Sequence, residues 1–202
     1  MFTLTVDLAA KFSAACVQDD AGEVHREWDS RGVSHIAFAR SLRDAAIDFG
    51  FDPDSRILVE DVPYGISSQG QVKSPLRFQG IVIDELEDFL GQTFFVNPRT
   101  WQTFFGCAIV PKELAKGMTK TMKESWLIGA AAQAAADRGY SPPDLVAQFI
   151  AEQPEGARIL KKDTNPLTKN MTDYVDAFLM GRWVREFDGD VRTLSGVQPP
   201  FI

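Results

Sequence analysis

The chain has 202 residues, of which 45% are hydrophobic and 24% charged, and carries a formal net charge of −7. That length suits one substantial core rather than two ordinary domains, and the composition is that of a soluble globular protein, not of a disordered or fibrous one. An acidic balance argues against indiscriminate coating of nucleic acid, and only two cysteines and two histidines argue against a disulfide scaffold, a histidine-built zinc site or a Ser-His-Asp hydrolase.

The N-terminal stretch Phe2-Thr-Leu-Thr-Val-Asp-Leu-Ala alternates apolar and polar positions through Val6, and Phe12 to Val17 resumes after a small-residue turn. This pattern predicts two strands joined as a hairpin. The apolar run from Phe2 to Ala10 is interrupted by Asp7 and lacks a basic leader, so neither a secretory signal nor a membrane span is expected, and a cytoplasmic location is. Ala21-Gly22 supplies a turn, and Glu23 to Trp28 is predicted as a third strand, completing an antiparallel meander. Ser34 is placed to N-cap a helix through Phe49, in which Ile36, Ala39, Leu42, Ala46 and Phe49 recur with helical spacing before Gly50 ends it.

Arg56-Ile-Leu-Val-Glu-Asp-Val is a short apolar run closed by Pro63 and Gly65, as expected of a buried strand running into a loop, with Glu60 near its end. Ser74-Pro75, a cap followed by a first-turn proline, predicts a helix to Leu90, stopped by Gly91. Phe94-Phe-Val-Asn-Pro reads as the next strand, Trp101 to Phe105 as an aromatic segment packed under the sheet and broken by Gly106, and Met118 to Arg138 as an alanine-rich helix. Ser141-Pro-Pro opens a surface excursion with a short helix over Leu145 to Ala151. The last strong element is a helix from about Thr168 to Arg185, whose Met171, Val175, Phe178 and Leu179 form the stripe of a sheet-packed helix. One domain over 1–185 followed by a tail over 186–202 is the expected organisation, without internal repeats.

Cys16 and Cys107 stand apart from any CxxC pair and read as reduced, buried thiols. Lys112, Lys116, Lys120 and Lys123 cluster in one segment, and Arg158, Lys161, Lys162 and Lys169 in another. Each run is either a local basic surface on an acidic protein or a solvated face, and the sequence leaves both open.

Carboxylates occur where the hydrophobic pattern favours something else: Asp7 in the first strand, Glu60 at the end of the buried strand, and Asp173 with Asp176 on the final helix. Burying unpaired carboxylates is costly. The i, i+3 spacing lets Asp173 and Asp176 project from one side of the helix. If that helix crosses the strands of Asp7 and Glu60, four oxygen donors converge, and hard divalent cations relieve their repulsion. Such a site suits phosphodiester hydrolysis by two magnesium ions roughly 3.5 to 4 Å apart. Singly, each acid has a plain structural role, Asp173 as a first-turn partner of the helix dipole, Asp176 as an exposed polar position, Glu60 or Asp61 as a loop residue. Their joint placement makes the case.

Val6-Asp7 in a leading strand followed by a hairpin, Leu58-Val-Glu60 closing a fourth strand and Asp173-Tyr-Val-Asp176-Ala-Phe-Leu on a late helix resemble, in order, the motifs of RuvC-type Holliday junction resolvases of the RNase H-like superfamily. Ser74-Pro-Leu-Arg-Phe-Gln-Gly-Ile-Val-Ile is similar to the family's helix after the glutamate strand, and Val96-Asn-Pro-Arg-Thr-Trp-Gln-Thr-Phe-Phe-Gly106 to its strand-plus-helix segment. The likeness spans Met1 to about Arg185. It implies an α/β fold with a central mixed five-stranded sheet, three antiparallel strands then two parallel, flanked by helices. It further implies an endonuclease with Asp7, Glu60, Asp173 and Asp176 as catalytic metal ligands, two Mg2+ or Mn2+ ions per site, a homodimer and branched DNA as substrate. Leu8-Ala9-Ala10 departs from the glycine the family often carries, and Gln102 stands where it has a basic residue, which passes basic assistance to Lys120 or Lys123. Tyr64 falls in the loop the family brings near the junction centre. Its ring is either a stacking platform for an unpaired base, a contact of roughly 1 to 3 kcal/mol, or a packed aromatic in a turn.

Two other readings keep the fold. A nuclease acting on RNA–DNA hybrids reads A-form geometry and works as a monomer, and a non-catalytic assembly module needs no metal. An ATPase of related fold is disfavoured because no P-loop or glycine-rich phosphate cradle occurs.

Overall fold

The computed structural model describes residues 1–9, 12–61, 69–140, 166–187 and 197–200. Strands β1 (Phe2–Asp7), β2 (Ala14–Asp19) and β3 (Val24–Asp29) form the expected meander, and helix α1 (His35–Asp48) follows. Ser34 caps α1 by accepting from the Ala37 N–H at 3.1 Å. At the other end Gly50, at φ +61, lets its own N–H reach Ile47 O and that of Phe51 reach Ala46 O, the paired bonds of a Schellman stop. Strand β4 (Arg56–Glu60), helix α2 (Gln69–Glu85), a 3-10 turn (Glu87–Gln92) and strand β5 (Thr93–Val96) come next. Helices α3 (Pro98–Phe104), α4 (Lys112–Ala115), α5 (Lys120–Ala136) and α6 (Pro166–Glu186) and a two-residue strand β6 (Val197–Gln198) complete the order.

The sheet order is β3-β2-β1-β4-β5-β6. β1, β2 and β3 pair antiparallel, whereas β4 and β5 join β1 in parallel. This is the expected arrangement of three antiparallel and two parallel strands, with helices on both faces. Its sixth strand comes from the segment expected to be a tail: Val197 and Gln198 pair antiparallel with Val96 and Phe95 and cover part of the β5 edge.

Period-two alternation divides the core. Leu4 and Val6 of β1 and Ile57 and Val59 of β4 pack with Phe38, Leu42, Phe78 and Val82 of α1 and α2. Leu58 and Val96 face the other way, against Trp101, Ala135, Phe178, Leu179 and Trp183 of α3, α5 and α6. Strands covered on both faces read as continuous apolar runs, which is why Ile57-Leu58-Val59 carries no polar break. α6 lies between the sheet and α5, so it buries Val175, Phe178 and Leu179 as expected, and also Met180 and Val184.

Three expectations are corrected. Ile36 is 46% exposed; Phe38 and Ala45 take core positions of α1 instead, because the helix turns that face to α2. α2 begins at Gln69, ahead of the anticipated Ser74 cap, and so contains Pro75. It also ends at Glu85 rather than Leu90, the chain tightening there into the 3-10 turn that carries Gly91. Residues 141–165, including the short helix anticipated over Leu145 to Ala151, lie outside the described residues.

Candidate metal centre

Parallel pairing brings the first two acids together. Thr3 stands beside Arg56, Leu4 beside Ile57, Thr5 beside Leu58 and Val6 beside Val59. The same offset one step on sets Asp7 beside Glu60. Alternation then decides the face. Leu4 and Val6 belong to the α1–α2 side, so Asp7 projects toward α6, as Glu60 does two residues after Leu58.

Helix α6 is seated over β1 and β2 by polar contacts along its C-terminal half. Gln18 of β2, fully buried, donates to the Phe178 carbonyl at 3.0 Å. Gly181 makes this approach possible, since a Cβ there would meet the Gln18 amide nitrogen at 2.4 Å. Arg185 donates to Gln18 O at 3.0 Å and Thr3 Oγ1 at 3.2 Å, and Arg182 to Ala21 O at 3.2 Å. A bidentate pair from Arg138, in the turn after α5, to Glu186, at 2.7 and 2.8 Å, closes the far side.

With α6 so placed, Asp173 and Asp176 meet the strand acids. Asp7 lies near enough to Glu60, Asp173 and Asp176 for each of their carboxyl groups to act on it. Burial, then the charge of Asp176, pushes Asp7 up to about 8. Burial and Asp173 likewise push Asp176 up to about 8. Burial, followed by Asp7 and Asp176, holds Glu60 well above the usual carboxylate range. Asp7 is 5% exposed; Glu60, Asp173 and Asp176 are half-buried, so the group opens at the rim. Asp7, Glu60 and Asp176 therefore share a raised proton affinity, with Asp173 acting on each of them, an arrangement in which the carboxylates repel one another when ionised.

The donor set fits a hard divalent cation. All four ligating groups are carboxylates, the oxygen chemistry that suits Mg2+ or Mn2+. Burial and then Asp176 push the neighbouring Cys107 thiol up to about 12. Both cysteines are free and buried, as expected.

Not every expected residue joins the group. Lys120 and Lys123 lie exposed on the first turn of α5, and Lys120 pairs with Glu124 at 3.7 Å. Tyr64, Arg158, Lys161 and Lys162 lie outside the described residues. Asp61, next to Glu60, points to the other face, where Gln79 of α2 donates to it at 3.2 Å. Sequence reasoning missed Gln18 and Gly181, whose pairing across the fold leaves no local signal, and a second acidic group. Among the described residues Asp19, Glu23 and His25 are the group whose ligand atoms all lie within 4.8 Å of one another, a spacing that no three of Asp7, Glu60, Asp173 and Asp176 meet; they sit at the opposite end of β1 from Asp7, where Asp19 pairs with Phe2. Their contacts are those of a closed hairpin turn: Asp19 accepts from Glu23 N and pairs with His25 Nε2, both at 2.9 Å, while Gly22 supplies the φ of +81.

No protein-family model matches the sequence, and no curated protein sequence does. Among solved structures the chain is similar to T. thermophilus RuvC in complex with a Holliday junction substrate, at 7% identity and TM-score 0.47, covering 93% of this chain and 96% of that one. It is also similar to a Thermus thermophilus RuvC structure, at 11% identity and TM-score 0.46, covering 92% and 96%. Among the described residues no helix is long and apolar enough to cross a membrane.

Proposed function

We propose that the chain is a metal-dependent, structure-selective DNA endonuclease that resolves Holliday junctions or related branched DNA. The observation that carries this reading is the parallel register that sets Asp7 and Glu60 at one end of neighbouring strands, where Asp173 and Asp176 of α6 act on them by charge. Asp7, Glu60, Asp173 and Asp176 would hold two Mg2+ ions, with Mn2+ able to replace them. Bound there, the ions supply the Lewis acidity and charge that phosphodiester hydrolysis needs. The chain's own part is positional. Asp7 anchors the centre from the end of β1, Glu60 flanks it from the end of β4, and the Asp173–Asp176 turn of α6 closes it from above while leaving the rim open to a phosphate backbone. No side chain has to act as a covalent nucleophile.

Substrate contacts in this reading come from Lys120 and Lys123, which offer exposed positive charge to phosphates, and from Tyr64 as a stacking platform. A homodimer would set two such centres on one four-way junction. The test is incubation of the purified protein with labelled four-way junction, flap, RNA–DNA hybrid and linear duplex in Mg2+, Mn2+ or chelator. Cleavage of the junction alone, dependent on the cation, is the expected result. Preferential cutting of the hybrid by a monomer would transfer the site to RNA–DNA hydrolysis, and inertness toward every substrate would remove the catalytic reading.

A further inference from the structure

On the turn of α6 between Asp173 and Asp176, the Tyr174 hydroxyl donates to the Asp29 carboxylate at the end of β3. Asp29 faces Ala14 across the β2–β3 ladder, and Ala14 faces Asp7 across the β1–β2 ladder. Directly opposed residues of antiparallel strands share a face, so Asp29 stands on Asp7's side of the sheet two strands away, about 10 Å by strand spacing. Asp29 is firmly held. Arg31 donates to it from Nε and from its backbone N–H, each at 2.8 Å, and places Nη2 at 2.6 Å. Phe12 fills the space beside this group, edge-on to the Tyr174 ring at 6.2 Å and under the Arg31 guanidinium at 5.5 Å. The Asp29 side chain is 9% exposed, so its bonds are made largely out of water.

Successive helix residues project about 100° apart. Tyr174 therefore reaches β3 while its neighbour Asp173 reaches Asp7 on β1, and the two contacts tie α6 from both sides of the strands it covers. The polar contacts described above seat the other end of the helix, around Phe178 to Glu186. At the acid-bearing turn, like-charge repulsion favours a roll of the helix that carries Asp173 and Asp176 away from Asp7 and Glu60, and a bond from Tyr174 to β3 opposes that roll.

We propose that Tyr174 and Asp29 are positioning residues of the metal centre, fixing the rotation of α6 so that Asp173 and Asp176 face Asp7 before a cation arrives. This rests on the reading of the four acids as cation ligands. Tyr174 and Asp29 act through the helix, and the energy stored in their bond holds open a ligand set that would otherwise relax apart.

The test is Mn2+ binding, followed by the electron paramagnetic resonance of free Mn2+, for the wild type, Tyr174→Phe, Asp29→Ala, Asp29→Asn and the Tyr174→Phe/Asp29→Ala double variant, at a temperature where circular dichroism shows each folded. Tyr174→Phe and Asp29→Ala are expected to weaken Mn2+ binding on the order of 10-fold each, the scale seen for residues that orient ligands. The double variant should be no weaker than Asp29→Ala alone, because Asp29→Ala already removes the Tyr174–Asp29 bond along with the Arg31 contacts. Asp29→Asn, which keeps an acceptor oxygen, should recover most of the affinity. Lower melting temperatures with unchanged Mn2+ affinity would overturn the proposal and leave a purely structural contact. A wild type that binds no Mn2+ would overturn the four-acid reading itself. If Asp29→Ala does not fold, Tyr174→Phe, which removes a single oxygen, decides the matter.

Discussion

Asp7 and Glu60 are neighbours because β1 and β4 run parallel in unbroken register from Thr3 beside Arg56 to Val6 beside Val59, which carries both carboxylates to the same end of the sheet. Alternation along each strand turns them to the same side, and α6 adds Asp173 and Asp176 there. A strand slip of one residue would send one carboxylate into the α1–α2 core, so the hydrophobic pattern that sets the register also sets the site.

Replacing Asp7 by asparagine removes the most deeply buried of the four acids. Cleavage of a four-way junction should fall on the order of 100-fold or more, the scale of losing one charged group at a reacting centre. Junction binding should hold or tighten, since less negative charge opposes the phosphates. Single-turnover cleavage beside a gel-shift titration in chelator measures both, and wild-type cutting by this variant would remove Asp7 from the centre.

Stability of the cation-free protein should fall with rising pH. Asp7 and Asp176 each hold their proton up to about 8 in the folded chain, against about 4 when unfolded. Their protonated forms therefore favour the folded state fully below pH 4, and that contribution drains away as pH climbs toward and through 8. Urea midpoints in chelator at pH 5.5 and 8.5 should show the drop. Added Mg2+ or Mn2+ should restore the midpoint at pH 8.5 far more than at 5.5, because the cations compete with protons for the same oxygens.

Gly181→Ala should strike both fold and site. Its Cβ would fall 2.4 Å from the Gln18 amide nitrogen, breaking the buried bond to the Phe178 carbonyl or lifting α6 from β2. A loss of about 1 to 3 kcal/mol by urea denaturation is expected, together with weaker Mn2+ binding. Undiminished stability would mean that α6 has slack above the sheet.

Ser34→Ala is the control. It deletes the cap of α1 at 3.1 Å on the side of the sheet away from the acids, and should cost about 1 kcal/mol. Mn2+ affinity should stay at the wild-type value; a change would show that α1 and the centre are coupled through the sheet.

Much of this arrangement was legible in the chain because it rests on local rules. The β1–β3 meander, the Ser34 cap, the Gly50 stop and the Val175-Phe178-Leu179 stripe are each written within a few residues. Glu60 and Asp7 stood out as charges in apolar runs. What stayed hidden depends on partners far along the chain. Ile36 has helical spacing with Ala39, yet only the position of α2 decides that Phe38 is buried instead. A helix start at Gln69 overrides the local preference of Ser74-Pro75, and β6 forms only because β5 presents an edge. The Tyr174–Asp29 bond joins residues that no spacing rule connects.

Asp7 comes from the first strand, Glu60 from the fourth, and Asp173 with Asp176 from a helix more than a hundred residues further on. The cost of gathering like charges is therefore borne where α6 rests on the sheet, and the apolar and polar contacts of that one boundary have to outweigh it.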